Sequence, residues 1–284
     1  MNILIVRGHD LKRVASATLL FGYLVKKCMV SSIINPNVWN EWRDYMILHT
    51  SISGEGFPLV LIHSGGMTGL TEYEEQSIFF SQRNFKVIRP DLRGHGHSGG
   101  PIDQYFSHCA EDLHDTLKAL QIEKCHIAGV SIGGIAALLF AKKYPDQVAS
   151  LTFSGIFPIE PDNWNDLSKQ EADHYEQLFE NEEVVLIMDE IHGKNDWKTL
   201  LRSFQEDGFY PFNETGDLSQ LRVPTLCLFG EEEENERSAA VSFKKLKPDI
   251  HVSIIPFAGH LVHRDQPDLY TQTLYTFIEN STEA

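Results

Sequence analysis

Basic residues are scarce in this chain: 24 Lys and Arg stand against 40 Asp and Glu, for a formal net charge of -16 over 284 residues. A surface this acidic repels phosphate backbones and anionic headgroups, which argues against nucleic acid as a partner. Cysteine is sparse too. Cys28, Cys109, Cys125 and Cys227 are scattered without C-x-x-C spacing, and the last two fall in apolar runs of buried-strand type. That argues against a disulfide framework and points to free thiols in a reducing, cytoplasmic compartment. Long apolar runs are missing as well. Val14–Val25 follows Lys12 and Arg13 like a signal-peptide core, but Lys26 and Lys27 stand where small cleavage-site residues belong. The run is also too short to span a bilayer. Residues 1–45 are therefore expected to be a surface-packed helix or an extension outside the fold, with membrane association through residues 14–25 as the alternative. Repeats, low-complexity tracts and Ser/Gly linkers are absent.

What the chain does have is alternation. Met46–Ile52 alternates apolar and polar residues and ends at Ser53-Gly54-Glu55-Gly56, which reads as a hairpin strand. Continuous apolar runs follow at Pro58–Ile62, Phe85–Ile88, Cys125–Val130, Ser150–Phe153, Thr225–Phe229 and Val252–Ile255. Between them Phe106, Cys109, Ala110, Leu113, Leu117 and Leu120 recur at helical spacing, as do Tyr270, Leu274, Phe277 and Ile278 after Pro267. Strands apolar on both faces, alternating with helices, predict a mostly parallel sheet covered on both sides, an α/β fold. The alternation breaks at Pro158–Leu221, where helical stretches such as Ala172–Phe179 and Trp197–Phe204 predominate and Val184–Met188 is ambiguous. A segment of that length exceeds a simple crossover and predicts an inserted helical unit over one end of the sheet.

The chemistry-bearing motif is Gly129-Val130-Ser131-Ile132-Gly133, entered by the apolar run Cys125–Val130 and left by the helical pattern Ile135–Ala141. A sharp strand-to-helix turn strains the serine backbone and leaves no room for side chains beside it, hence the glycines. It also sets the N–H of Ile132 at a helix N-terminus, where it can donate to a developing oxyanion. A P-loop is excluded because no Lys-Ser/Thr pair follows the glycines. A second glycine pattern, G-x-G-x-x-G from Gly94 to Gly99, is a poor dinucleotide fingerprint, because Gly100-Pro101 intervenes where a helix must begin. His95 and His97 in the same turn could be read as metal ligands, but the turn itself accounts for their position.

With these motifs in order, the chain from about Met46 to Ile278 resembles an α/β-hydrolase-fold serine hydrolase. Asp91-Leu92-Arg93-Gly94-His95-Gly96-His97-Ser98 is similar to that family's D-x-R-G-x-G-x-S turn, and His63-Ser64-Gly65-Gly66 resembles its His-Gly loop, with Ser64 in place of the usual Gly. The resemblance implies a core of residues 46–157 and 222–284 with a cap at 158–221. It implies Ser131 as nucleophile, oxyanion donors from Ile132 and Gly65 (Gly66 as the alternative), His63 as structural, and His260 as base with His263 as fallback. Glu233 is implied as the acid, from the loop Glu231–Glu234, with Glu160 or Asp162 at a second position. No metal or organic cofactor is implied. The expected activity is cleavage of a small carboxylic ester through an acyl-enzyme. Peptidase, lactonase, thioesterase, C–C hydrolase and perhydrolase activities of the same fold remain open, as does a non-catalytic ligand-binding protein on it.

Overall fold

The computed structural model describes residues 46–281; the expected extension at residues 1–45, with its apolar run and Cys28, lies outside the described residues. Seven strands, β1 (Thr50–Ser53), β2 (Phe57–Ile62), β3 (Phe85–Pro90), β4 (Cys125–Val130), β5 (Val148–Ser154), β6 (Thr225–Gly230) and β7 (His251–Ile255), form one sheet in the order β1-β3-β2-β4-β5-β6-β7. All neighbours are parallel except β1, which runs antiparallel to β3. β1 is therefore not the hairpin partner of β2. The connecting turn passes directly over the entry to β3: a Cβ on Gly54 would sit 2.4 Å from the Phe85 carbonyl, and one on Gly56 1.9 Å from that of Asn84. With both glycines at positive φ, the chain crosses β3 and leaves it between its two neighbours.

The central strands are apolar on both faces because both are covered. On one side α2 (Tyr105–Ala119), α3 (Ile132–Lys143) and α8 (Glu234–Leu246) bury Leu113, Leu117, Phe140 and Phe243 against Val60, Ile127 and Phe153. On the other, α1 (Glu74–Ser81) and α10 (Pro267–Ser281) bury Phe80, Tyr270, Leu274 and Ile278 against Leu59, Val87 and Leu228, and the short α9 (Val262–Asp265) leads into α10. Pro267 opens α10, where its missing N–H costs nothing. Cys109, Cys125 and Cys227 are free and buried.

Four helices lie between β5 and β6: α4 (Trp164–Glu180), α5 (Glu182–His192), α6 (Trp197–Ser203) and α7 (Phe212–Gly216). The ambiguous run Val184–Met188 is helical. Asn181 fixes its start by accepting from the N–H groups of Glu183 and Val184. These helices have a small core of their own, Tyr175, Val184, Met188, Trp197 and Leu201. Among the described residues no helix is long and apolar enough to cross a membrane. Because β2 to β7 are parallel, the loops leaving their carboxyl ends gather at one edge of the sheet, and the chemistry-bearing residues of the sequence lie on those loops.

Candidate active site

Ser131 sits between β4 and α3 with φ 56° and ψ −126°, a region that L-residues with side chains avoid. The turn around it has no spare volume. A Cβ on Gly129 would lie 2.2 Å from the Gly133 carbonyl oxygen, and one on Gly133 2.4 Å from that of His63. The Ser131 N–H donates to the Ser154 carbonyl at 2.9 Å, tying the turn to the end of β5. Ile132 is the first residue of α3, so its N–H has no carbonyl one turn back to bond.

His260 approaches from the loop after β7. A Cβ on Gly155, the residue after Ser154, would be 2.5 Å from His260 Cε1, so the imidazole lies against the strand end that holds the Ser131 backbone. Its Nδ1–H donates to Glu236 Oε1 at 2.5 Å, and both side chains are buried. That bond fixes the tautomer and leaves Nε2 unprotonated, without a protein partner among the described residues. Burial pulls the His260 pKa down, but Glu236, joined by the more distant Glu233 and Glu171, more than offsets this and the net shift is upward. Burial pushes the Glu236 carboxyl up, against the pull of His260.

The carboxylate on His260 is thus Glu236, and the expectation of Glu233 is corrected. Glu233 is the N-cap position of α8 and does not hydrogen-bond the imidazole; Glu236, one turn further in, faces the sheet. Glu231, Glu232 and Glu234 are exposed, as are Glu160 and Asp162. A family-style count from the end of β6 stops in the loop because it does not anticipate a helix beginning at Glu234. One signal was present in the sequence: Glu236 shares the helical stripe of Ala239, Ala240 and Phe243, a carboxylate where the pattern calls for an apolar residue.

His263 is not placed beside Ser131. It is buried, stacked on Tyr73 with ring centroids 4.3 Å apart, and its Nε2 lies 3.1 Å from Glu72 Oε1. Glu72 also pairs with Arg264 at 3.0 Å and accepts the Ser64 N–H at 2.5 Å and the Ser64 hydroxyl at 3.2 Å. Burial alone would raise the Glu72 pKa; Arg264 and His263 hold it far below the usual carboxylate range. The serine that replaces the customary glycine therefore anchors the loop to a buried carboxylate.

The loop His63–Gly66 is positioned on every side. The Ser64 carbonyl accepts from His63 Nδ1 at 2.8 Å and from the Met67 N–H at 3.2 Å, so the Gly65 N–H across the same trans peptide points the other way. His63 Nε2 accepts from the Leu92 N–H at 2.9 Å, a structural role. The Gly66 N–H is committed to His95 Nε2 at 3.2 Å, which favours Gly65 over Gly66 as the free donor. Gly65 also lies beside Ile132: a Cβ added to it would be 3.9 Å from Ile132 Cδ1.

The Asp91–Ser98 turn is a scaffold for this loop. Asp91 accepts from the N–H groups of Gly69 (2.8 Å) and His97 (2.9 Å) and pairs with His49 at 2.9 Å. Arg93 makes a two-pronged buried bond to Asp112 on α2, at 2.7 and 2.8 Å. His95 donates from Nδ1 to the Arg93 carbonyl, so its two nitrogens are both used by backbone. The next helix starts only at Tyr105, which rules out a dinucleotide-binding helix at these glycines.

A family model of the alpha/beta hydrolase fold matches residues 58–182. The carboxylesterase YbfK of Bacillus subtilis (strain 168) is 25% identical over 238 residues, covering 78% of this chain and 79% of that protein. Human serine hydrolase BPHL is 35% identical over 113 residues, 38% of this chain and 39% of its own length. Among solved structures, a marine microorganism esterase shares the fold with a TM-score of 0.61 at 24% identity, over 82% of this chain and 99% of that one. Sheet topology, family match and similar proteins together show the α/β-hydrolase fold. The chain is an enzyme of that fold, and the proteins it is similar to include esterases.

Proposed function

We propose that this hydrolase cleaves small carboxylic esters through an acyl-enzyme on Ser131. The observation that carries the reading is the conjunction at one sheet edge of a strained, elbow-borne serine and a histidine whose tautomer is set by a buried carboxylate. In this reading His260 Nε2 takes the Ser131 proton as Oγ attacks the ester carbonyl, and Glu236 stabilises the imidazolium that forms. The N–H groups of Gly65 and Ile132 donate to the oxyanion. The imidazolium returns its proton to the leaving alkoxide, and water, deprotonated by the same histidine, releases the acid. The similarity to a carboxylesterase over 78% of this chain and 79% of that protein supports ester over other acyl substrates. The cap is the unit formed by α4 to α7.

The test is reaction of the purified chain with a fluorophosphonate and with nitrophenyl esters of graded acyl length, beside Ser131→Ala. Labelling and turnover in the wild type and neither in a folded Ser131→Ala are expected. Equal hydrolysis by both would end the assignment.

A further inference from the structure

His192, the last residue of α5 in the helical insertion, reaches into the core and uses both ring nitrogens on two different loops. Its Nε2–H donates to the Gly66 carbonyl at 3.0 Å, and its Nδ1 accepts the Gly96 N–H at 3.0 Å. A carbonyl can only accept and an amide can only donate, so the ring must be neutral with its proton on Nε2. It is fully buried. Three residues on, Asn195 donates to the carbonyls of Gly96 at 2.8 Å and Ser98 at 3.1 Å. Phe204, after α6, lies over Gly65 so closely that a Cβ there would be 3.0 Å from its ring. The insertion thus grips the two loops that the core brings together through His95.

From this geometry we infer that His192 is a positioning residue through which docking of the helical insertion sets the oxyanion loop: with the insertion seated, the Gly65–Gly66 backbone is held in its donating conformation, and with His192 gone it is not. The inference rests on the assignment of Gly65 as an oxyanion donor. The physical reason is peptide orientation. The backbone at Gly65 and Gly66 has little stiffness of its own, two successive glycines with Gly66 at φ 75°. Two groups fix Gly66: His95 from the core on its N–H and His192 from the insertion on its carbonyl. The Gly66 carbonyl shares its peptide with the Met67 N–H, which donates to the Ser64 carbonyl at 3.2 Å, and that carbonyl shares its peptide with the Gly65 N–H. With His192 removed, the Gly66–Met67 peptide can rotate, release the Ser64 carbonyl and let the Gly65 N–H swing off its line. Ground-state substrate binding would be little affected, while stabilisation of the charged transition state would fall.

His192→Ala, His192→Gln and, as a control on the exposed face of the same helix, Leu186→Ser provide the test. Three measurements are compared: kcat and KM on one ester, affinity for a trifluoromethyl ketone that forms an oxyanion adduct on the serine, and hydrogen exchange at the Gly66 amide. The last does not depend on activity, and the Gly66 amide bonds to His95 rather than to His192. For His192→Ala the expectation is a fall of roughly 10- to 100-fold in kcat and in ketone affinity, with KM within about threefold and faster Gly66 exchange. The Gln amide, with one donor and one acceptor, should restore part of each, and Leu186→Ser should change none. A folded His192→Ala with wild-type ketone affinity and unchanged Gly66 exchange would overturn the inference, whatever its melting temperature. If the wild type fails to react with a fluorophosphonate, the ester-hydrolase reading falls instead, and the exchange measurement still decides whether His192 holds the loop.

Discussion

At the level of single residues, Glu236 is the side chain with the most specific consequence. It is a buried carboxylate whose polar neighbour is the imidazole it orients, so Glu236→Gln should cost about 10⁴ in kcat by analogy with loss of a triad acid. Glu233→Gln, at a partly exposed cap position, should change the rate by no more than a few fold. Steady-state kinetics of the two variants on one ester checks both, and exchange of the two outcomes would return the role to Glu233. The pair also sets a pH profile. In the proposed mechanism His260 must be unprotonated to act, and its pKa is raised because Glu236, Glu233 and Glu171 together outweigh burial. The acid limb of kcat/KM should therefore lie above the ordinary histidine value of 6.5 and move to lower pH in Glu236→Gln. The strand-to-helix turn that carries Ser131 and the loop that carries His260 were legible in the sequence because each is marked by local glycines and an adjoining strand. Glu236 was not. Its identity depends on where α8 starts and which way its first turn faces, which the run of glutamates at 231–234 obscures.

At the level of the elements, the strands were legible and their exact ends and pairing were not: Met46–Ile52 is β1 only from Thr50, and Ser150–Phe153 extends to Val148–Ser154. Continuous apolar runs marked β2 to β7, since burial on both faces leaves little room for polar residues. β1 was read correctly as a strand and wrongly as half of a hairpin, because the crossing over β3 is written only in Gly54 and Gly56, which also suit a tight turn. Gly155 illustrates how an element end serves the site. It follows β5 at φ 66°, and the His260 ring occupies the space where its Cβ would be. Gly155→Ala would meet both obstacles: a left-handed backbone conformation that costs roughly 1 to 2 kcal/mol and a collision with an imidazole held in place by Glu236. The ring must turn, so kcat should fall by about 10² or more while circular dichroism shows the sheet intact. Activity close to wild type in Gly155→Ala would mean that His260 does not depend on that wall.

Across the whole molecule, the buried histidines other than His260 make stability depend on pH with one sign. His63, His95, His126 and His192 are all buried, and burial holds each pKa below 6.5, to about 4 for His126 and His192. In the unfolded chain they bind protons near 6.5. Between about 4 and 6.5 the unfolded state therefore holds more protons than the folded one, so their contribution is complete above this window and is lost as pH falls through it. At about 1.4 kcal/mol for each tenfold change in proton binding, His126 and His192 each account for roughly 3 kcal/mol over the window. Glu171 works the other way: burial raises its pKa from 4.5 to about 7, so the folded state holds an extra proton in that range and gains as pH falls. Buried Glu236, also raised, acts in the same sense. His263 is lowered like those four, and lowered Glu72 and Asp91 add to the loss in acid, against raised His49, His260, Asp112, Glu171 and Glu236; the net expectation is a lower urea midpoint at pH 4.5 than at pH 7.5. His126 offers a test away from the proposed site, since among the described residues its side chain bonds the Ser150 hydroxyl through Nδ1, at 2.8 Å, and packs on Phe57 and Phe85. His126→Gln keeps a hydrogen-bonding side chain there but cannot titrate, so its midpoint should decline less steeply with acid than that of the wild type, whatever its stability at neutral pH. If the two declines run parallel, protonation of His126 is not among the events that unfold the protein.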